Sequence, residues 1–407
     1  MRPKNGFILI IGALLLFGSA TFGSTKAKSI KIGAVFDITG PTGDVGWHYA
    51  DGVRDYFKWL NASGGIHDVK IRLEWKDCQY DIPQTLSAYE KFVKDDHVKA
   101  IIGWGTGDSE ALRTKIIKDK IPYISASFAQ NLVWIPGNWN FIPATTYADH
   151  VRTVLKYINN LWKENRPLRV ALIYNDSEYG RAVLAPAKRY AKAHGIKIVD
   201  EEKVSLRCLD ATPQMRHLKQ KKADYAYIQE TVIATATILK DAGKLGLTTL
   251  FTGNFWGTER KLAELAGPAA EGYIGVMPFA IWSDRNVPGI QLLKKINRKY
   301  HPRVQFREPP YVAGWVNAAI MTEAVRKALG MVNNDPNQVT GTLIKKGFES
   351  IKDFNIEGLV TPVSYSAKDH RGAKDVKLVI IKKGRLTAIT GWIKTPPVPK
   401  AEMEGKE

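Results

Sequence analysis

Ile101-Ile102-Gly103-Trp104-Gly105-Thr106-Gly107-Asp108-Ser109-Glu110-Ala111 is the stretch on which the fold of this chain turns. An apolar strand runs into a turn carrying three glycines, and a helix is expected to start at Asp108 or Ser109, either of which can cap it. Such a turn points backbone N–H groups and the positive end of a helix into the crevice above the strand ends. That place suits a carboxylate or another anion. A dinucleotide fingerprint, G-x-G-x-x-G, would need glycine at 108, where this chain has Asp. Gly107 to Ala111 is also one glycine short of the G-x-S-x-G nucleophile elbow. A secreted serine hydrolase built on Ser109, with His370 after Asp353 as base and acid, therefore stands as the enzymatic alternative.

Outward from this segment the chain alternates short apolar runs with amphipathic stretches. Strands are expected at 30–36, 69–75, 99–103, 122–126, 169–174, 196–199, 223–228, 249–252 and 273–277. Several are continuous apolar runs, as parallel strands buried on both faces require. Between them lie helices. In 147–163, Val151, Val154, Leu155, Ile158, Leu161 and Trp162 share one face, and in 51–60 Val53, Tyr56, Phe57 and Leu60 repeat the pattern. Repeated β-α-β units define an α/β, doubly wound architecture. Roughly four units precede Asn140 and four follow Arg169, so a doubled plan with a ligand crevice between the halves is expected. Helices are expected at 287–300, 310–330 and 336–347, then strands at 359–365, 376–382 and 387–394. A disordered tail is expected over 396–407, which carries three prolines.

The N-terminus reads as an export signal over 1–23. Arg2 and Lys4 precede the apolar run Phe7 to Phe17 and the small residues Gly18, Ser19 and Ala20. That run is too short to span a bilayer, which takes about 20 residues. The mature chain is expected in the periplasm, soluble and monomeric. The 407 residues hold 59 Lys+Arg against 40 Asp+Glu, a net charge of +19. Loss of Arg2 and Lys4 with the leader leaves +17. Export and the scatter of the basic residues argue against nucleic acid as a partner. No histidine lies within five residues of another, and Cys78 and Cys208 fall in different halves, so neither a metal site nor a cofactor is expected and two separate thiols are.

The ordered motifs resemble one family. Ile32-Gly33-Ala34-Val35-Phe36 with Thr39-Gly40-Pro41, the segment Asp51-Gly52 through Gly64-Gly65-Ile66, Ile121-Pro122-Tyr123-Ile124-Ser125, Tyr174 through Tyr179-Gly180, Lys240 through Gly246, Ala270-Glu271-Gly272 and Pro310-Tyr311 follow each other over about 280 residues. This series is similar to type I periplasmic solute-binding proteins of ABC transporters, in the leucine/isoleucine/valine-binding branch. The resemblance implies two Rossmann-like lobes joined by three crossovers, near Tyr147, 278–283 and 358–361. The first lobe would take 28–146 and 281–358, the second 147–280 and 359–395. The resemblance also implies a small solute trapped between the lobes and handed to ABC permease subunits, with no catalysis. A ligand-sensing receptor module would share the fold.

By the same resemblance, a carboxylate is held by the loops Thr106, Gly107, Asp108 and Ser127, Phe128, Ala129. Tyr147 and Tyr179 contact the ligand body, and Thr231 and Phe255 fall at second-lobe contact positions. Phe255 replaces a family glutamate that pairs with the ligand's ammonium. Burying an ammonium there would leave a charge without a partner, at a cost of several kcal/mol. Glu230 is the acid that could take over, and Trp47 could supply the aromatic missing at Val45. With Asn254 and Trp256, the site is expected to suit a carboxylate on an aromatic or apolar body, an aromatic acid ahead of a branched-chain amino acid.

Overall fold

The computed structural model describes residues 28–135, 137–399 and 403; the expected leader lies outside them. The first half alternates β1 (Ser29–Phe36), α1 (Gly43–Ala62), β2 (Lys70–Asp77), α2 (Ile82–Lys94), β3 (Ile101–Ile102), α3 (Thr106–Asp119), β4 (Tyr123–Ile124), β5 (Asn140–Phe141) and α4 (Tyr147–Leu161). The second continues with β6 (Arg169–Tyr174), α5 (Glu178–Arg181), α6 (Leu184–Ala193), β7 (Lys197–Lys203), α7 (Thr212–Lys221), β8 (Tyr225–Gln229), α8 (Val232–Lys244), β9 (Leu250–Gly253), α9 (Arg260–Ala266) and β10 (Ile274–Met277). Three helices follow, α10 (Pro288–Tyr300), α11 (Pro309–Gly330) and α12 (Gly341–Glu349), and then β11 (Asp375–Lys382), β12 (Arg385–Ala388) and β13 (Ile393–Lys394).

The first sheet runs β2-β1-β3-β4-β5 and is parallel throughout. The second repeats that order as β7-β6-β8-β9-β10, again parallel, and then adds antiparallel β11 and β12. The doubled α/β plan is therefore literal: one winding, used twice. In each copy the order reverses beside the first strand, which opens a crevice at the carboxyl ends of the strands. The chain passes between the two lobes three times: from β5 to α4, from β10 to α10 and from α12 to β11.

The second of these three helices, α11, is not amphipathic. Of the 22 residues of α11, 18 are buried, because α1 and α12 flank it. Glycine sets the approach: a Cβ at Gly52 of α1 would overlap the Tyr311 carbonyl, and one at Gly314 of α11 would overlap the Tyr49 carbonyl. The predicted face of α1 is buried at Val53, Tyr56, Phe57 and Leu60. In α4, Val151, Val154, Leu155 and Ile158 are buried, but Leu161 is half exposed at the frayed end.

Several expectations are corrected. No strand forms at 359–365; Val363 makes only a bridge with Phe354, since Pro362 has no N–H for a ladder. Residues 387–394 split into β12 and β13, both paired with β11. The hairpin between β11 and β12 turns on Lys383 and Gly384, both at positive φ. The helix expected at 336–347 starts later: a 3-10 turn at Pro336–Gln338 precedes it, and Thr340 caps α12 by accepting from Leu343 N at 3.3 Å. β5, two residues long, is too short to carry a pattern. The tail is ordered at its start: Pro396 is buried, and Pro397 and Pro399 lie with it beside Lys156 of α4 and Tyr190 of α6. Cys78 and Cys208 are both buried free thiols.

Candidate functional site

A narrow cavity of about 20 Å³ lies between the lobes. Every wall comes from the carboxyl end of a parallel strand, as the winding dictates. On the first lobe Thr42 and Val45 follow β1, Tyr80 follows β2, Trp104, Gly105 and Thr106 follow β3, and Ala126 and Ser127 follow β4. Tyr147 opens α4. On the second lobe Tyr179 follows β6, Thr231 follows β8 and Trp256 follows β9.

The polar groups interlock. Trp104 donates its indole N–H to Thr42 Oγ1 at 2.9 Å, and Thr42 in turn donates to Asp37 at 2.6 Å. The hydroxyls of Thr106 and Ser127 are 2.6 Å apart. Trp256 donates its indole N–H to the Tyr147 hydroxyl at 2.9 Å, and that hydroxyl also faces the Phe128 N–H and the Ser127 and Thr106 hydroxyls. The phenol thus sits among two hydroxyls and two N–H groups. On the second lobe Asn254 Oδ1 accepts from both the Tyr179 hydroxyl (3.1 Å) and the Trp256 N–H (2.7 Å), fixing two walls at once.

Aromatic rings supply the body of the site. Trp256 stacks on Phe128 at 5.8 Å and 14°, and meets Trp104 edge-on at 5.1 Å and Tyr49 at 6.5 Å. Tyr147 and Tyr179 are 5.3 Å apart at 66°. Offset and edge-to-face contacts of this kind are the favoured geometries of aromatic pairs.

No charged side chain lines the cavity among the described residues. Acids do lie behind its walls, and burial governs each. Asp108 accepts from Thr85 Oγ1 at 3.1 Å and from Gly105 N at 3.3 Å, and burial pushes its carboxyl up to about 6. Asp44 accepts from Ile233 N at 3.1 Å across the cleft, at the start of α8, and is likewise pushed up to about 6. Glu230 accepts from Asn175 Nδ2 at 3.1 Å and is raised well above the ordinary range by burial.

Six of the residues expected at the site line the cavity: Thr106, Ser127, Tyr147, Tyr179, Thr231 and Trp256. Phe128 and Phe255 are fully buried and back the Trp256 ring, at 5.8 and 4.8 Å. Asn254 positions its neighbours, and Ala129 donates its N–H to Ser127 Oγ at 3.2 Å. Gly107 and Asp108 lie in the first turn of α3 and not on the wall. The helix starts at Thr106 with Gly105 before it, so neither Asp108 nor Ser109 is the cap. Trp47 is 39% exposed and stacks on His48, away from the cavity. Trp104 and Tyr80 were missed. Trp104 sits inside the glycine turn itself, and Tyr80 reaches the cavity because Gly105 has no side chain to block its ring.

The hydrolase alternative fails on geometry. Ser109 lies inside α3, with its Oγ on Gly105 O (2.7 Å) and Ser125 Oγ (2.9 Å). His370 is committed to Asn140 O and Glu349, and Asp353 to Ser364.

Comparison with known proteins agrees. A family model described as periplasmic binding protein matches residues 29–385. The Leu/Ile/Val-binding protein homolog 1 of Brucella suis is 25% identical over 341 residues, covering 83% of this chain and 88% of that protein. A Pseudomonas aeruginosa protein named for binding leucine, isoleucine, valine, threonine and alanine is 24% identical, covering 84% and 88%. The structure of a branched-chain amino acid ABC transporter protein from Thermus thermophilus with bound valine superposes with a TM-score of 0.85 at 28% identity, covering 93% and 98%. The chain belongs to the periplasmic binding protein family. It is a non-catalytic solute-binding protein of an ABC transporter.

Proposed function

We propose that this protein captures a small carboxylate-bearing solute with an aromatic or apolar body and no free ammonium, and presents it to an ABC import permease by lobe closure. The composition of the cavity wall carries this reading: five aromatic rings, neutral hydroxyl and N–H donors, and no acid. The first lobe would bind first, through Thr106, Ser127 and the start of α3, where the helix end favours an anion. Closure would then bring Trp256 and Tyr179 over the ligand and exclude water. An amino acid would bury its ammonium opposite the apolar Phe255 with no acid on the cavity wall to pair with it, at a cost of several kcal/mol.

A branched-chain amino acid is the second reading, supported by the names of the relatives above. A thermal-shift panel separates the two, because a ligand raises the melting temperature in proportion to its binding free energy. Phenylacetate or benzoate is expected to stabilise the protein, and leucine and valine to leave it unchanged. Tight leucine or valine binding with no response to aromatic acids would overturn the first reading. Mass spectrometry of the small molecule that co-purifies identifies the ligand directly.

A further inference from the structure

Asp200 and Glu202 alternate along β7, so their side chains leave the same face of the strand. The β6–β7 pairing slips by one residue here: Val170 pairs with Ile198, but Ala171 pairs with Asp200. A slip of this kind re-aims the side chains beyond it. Both residues are buried, although β7 is the edge strand of its sheet. His217 of α7 closes the group. Its Nδ1 meets Glu202 Oε1 directly and lies 3.5 Å from Asp200 Oδ1. One ligand atom from each of the three falls within 4.8 Å of the others.

The arrangement is incomplete as it stands. Asp200 Oδ2 is buried with no hydrogen-bond partner, and a buried polar atom of that kind normally has one. Two buried carboxylates beside one imidazole also carry more negative charge than a single base can balance. A divalent cation supplies what both observations lack.

We propose that Asp200, Glu202 and His217 form a binding site for a divalent first-row transition ion, zinc in the first instance. Two carboxylate oxygens and one imidazole nitrogen suit zinc, with water as a fourth ligand. Bonds of about 2.0–2.2 Å place tetrahedral ligand atoms roughly 3.3–3.6 Å apart. The side chain of His217 is 48% exposed and free to rotate into that spacing. No sequence motif announces the site, because strand and helix, 15 residues apart, bring the ligands together only in the fold. The ion would tie β7 to α7, the two elements that flank 204–211. Within that segment Arg207 donates to the Thr39 carbonyl across the cleft at 3.3 Å, so the ion braces an arm that touches the opposite lobe. This inference does not depend on the ligand of the main cavity.

The test uses chelator-treated full-length protein, titrated with zinc chloride by calorimetry and with cobalt(II) by visible absorption. One ion per chain is expected, with the intense d–d bands of a low-coordinate site and a zinc-dependent rise in melting temperature. His217→Ala and Glu202→Gln are each expected to weaken binding tenfold or more, and His217→Cys, which keeps a zinc ligand, to restore it. The half-exposed His217 leaves the fold of its variants intact, which circular dichroism checks. Absence of saturable binding, or equal affinity in His217→Ala and the parent protein, overturns the proposal.

Discussion

Replacement of Trp256 by alanine tests the closure mechanism most directly. Trp256 comes from the second lobe, yet its ring contacts three first-lobe rings: Phe128, Trp104 and Tyr49. Aromatic pairs of this kind are each worth about 0.5–1.5 kcal/mol beyond the area they bury. Three pairs then contribute about 1.5–4.5 kcal/mol to closure, which corresponds to a tenfold to two-thousandfold change in an equilibrium constant at about 1.4 kcal/mol per decade. Because the apparent affinity scales with the closed fraction, that factor passes into the dissociation constant. The assay is calorimetry with the tightest binder of the thermal-shift panel, alongside small-angle scattering for compaction. Trp256→Phe separates the ring from the indole N–H: it keeps the stacking and loses only the bond to Tyr147, so a smaller defect is expected. A dissociation constant for Trp256→Ala within threefold of the parent value would refute the role given to this ring.

Thr106→Val and Ser127→Ala each delete one hydroxyl from the pair at 2.6 Å; each is expected to weaken a carboxylate ligand by about 1–2 kcal/mol, read by calorimetry. Asp44 holds its proton more tightly when buried, at about 6 against 3.8, so its contribution to closure is fullest below about pH 4 and is lost as pH rises through about 6. Affinity measured between pH 5 and 7.5 is expected to fall with rising pH in the parent protein and to fall less in Asp44→Asn, with the acidic neighbours Asp37, Glu230 and Glu259 supplying the remaining slope. Asp149 behaves in the opposite sense: Arg371 at 3.0 Å and Arg152 at 2.7 Å hold its carboxyl below the usual range. Its stabilisation is present above about pH 4 and is lost on acidification, and Asp149→Asn should flatten the acid limb of a stability–pH curve. Gly314→Ala forces a methyl group onto the Tyr49 carbonyl and is expected to cost about 2–3 kcal/mol in urea unfolding.

The winding was legible because parallel strands leave long apolar runs, and the glycine turn at 103–107 marked where the cavity wall would stand. Strand ends were blurred where a single residue decides, as at Pro362, whose missing N–H ends a ladder that the apolar pattern of 359–365 promises. Within the site, Thr106, Ser127, Tyr147, Tyr179, Thr231 and Trp256 fall on the cavity wall, whereas some of their loop neighbours stand behind it. Phe255 and Trp256 are adjacent and equally apolar, and only the turn after β9 decides which faces the ligand. Trp47 carried the right chemistry on the outer side of α1. Trp104 and Tyr80 were hidden for another reason: each depends on a partner distant in sequence, Thr42 for the indole and Gly105 for the phenol ring. The carboxylates of Asp200 and Glu202 gave no signal, since their imidazole arrives from the next helix.

The lateness of α11 has a consequence for how the chain is made. The core of the first lobe opens at β1, near residue 30, and is closed by α11, which ends at Gly330. A complete second winding is synthesised in between. Until α11 emerges, the groove along α1 beside Tyr49 and Gly52 has no cover, and the first lobe cannot finish folding, whatever the state of its own sheet. Contacts this far apart in sequence form slowly. A lobe completed only by its last helices therefore reaches its final packing only when nearly the whole chain is present.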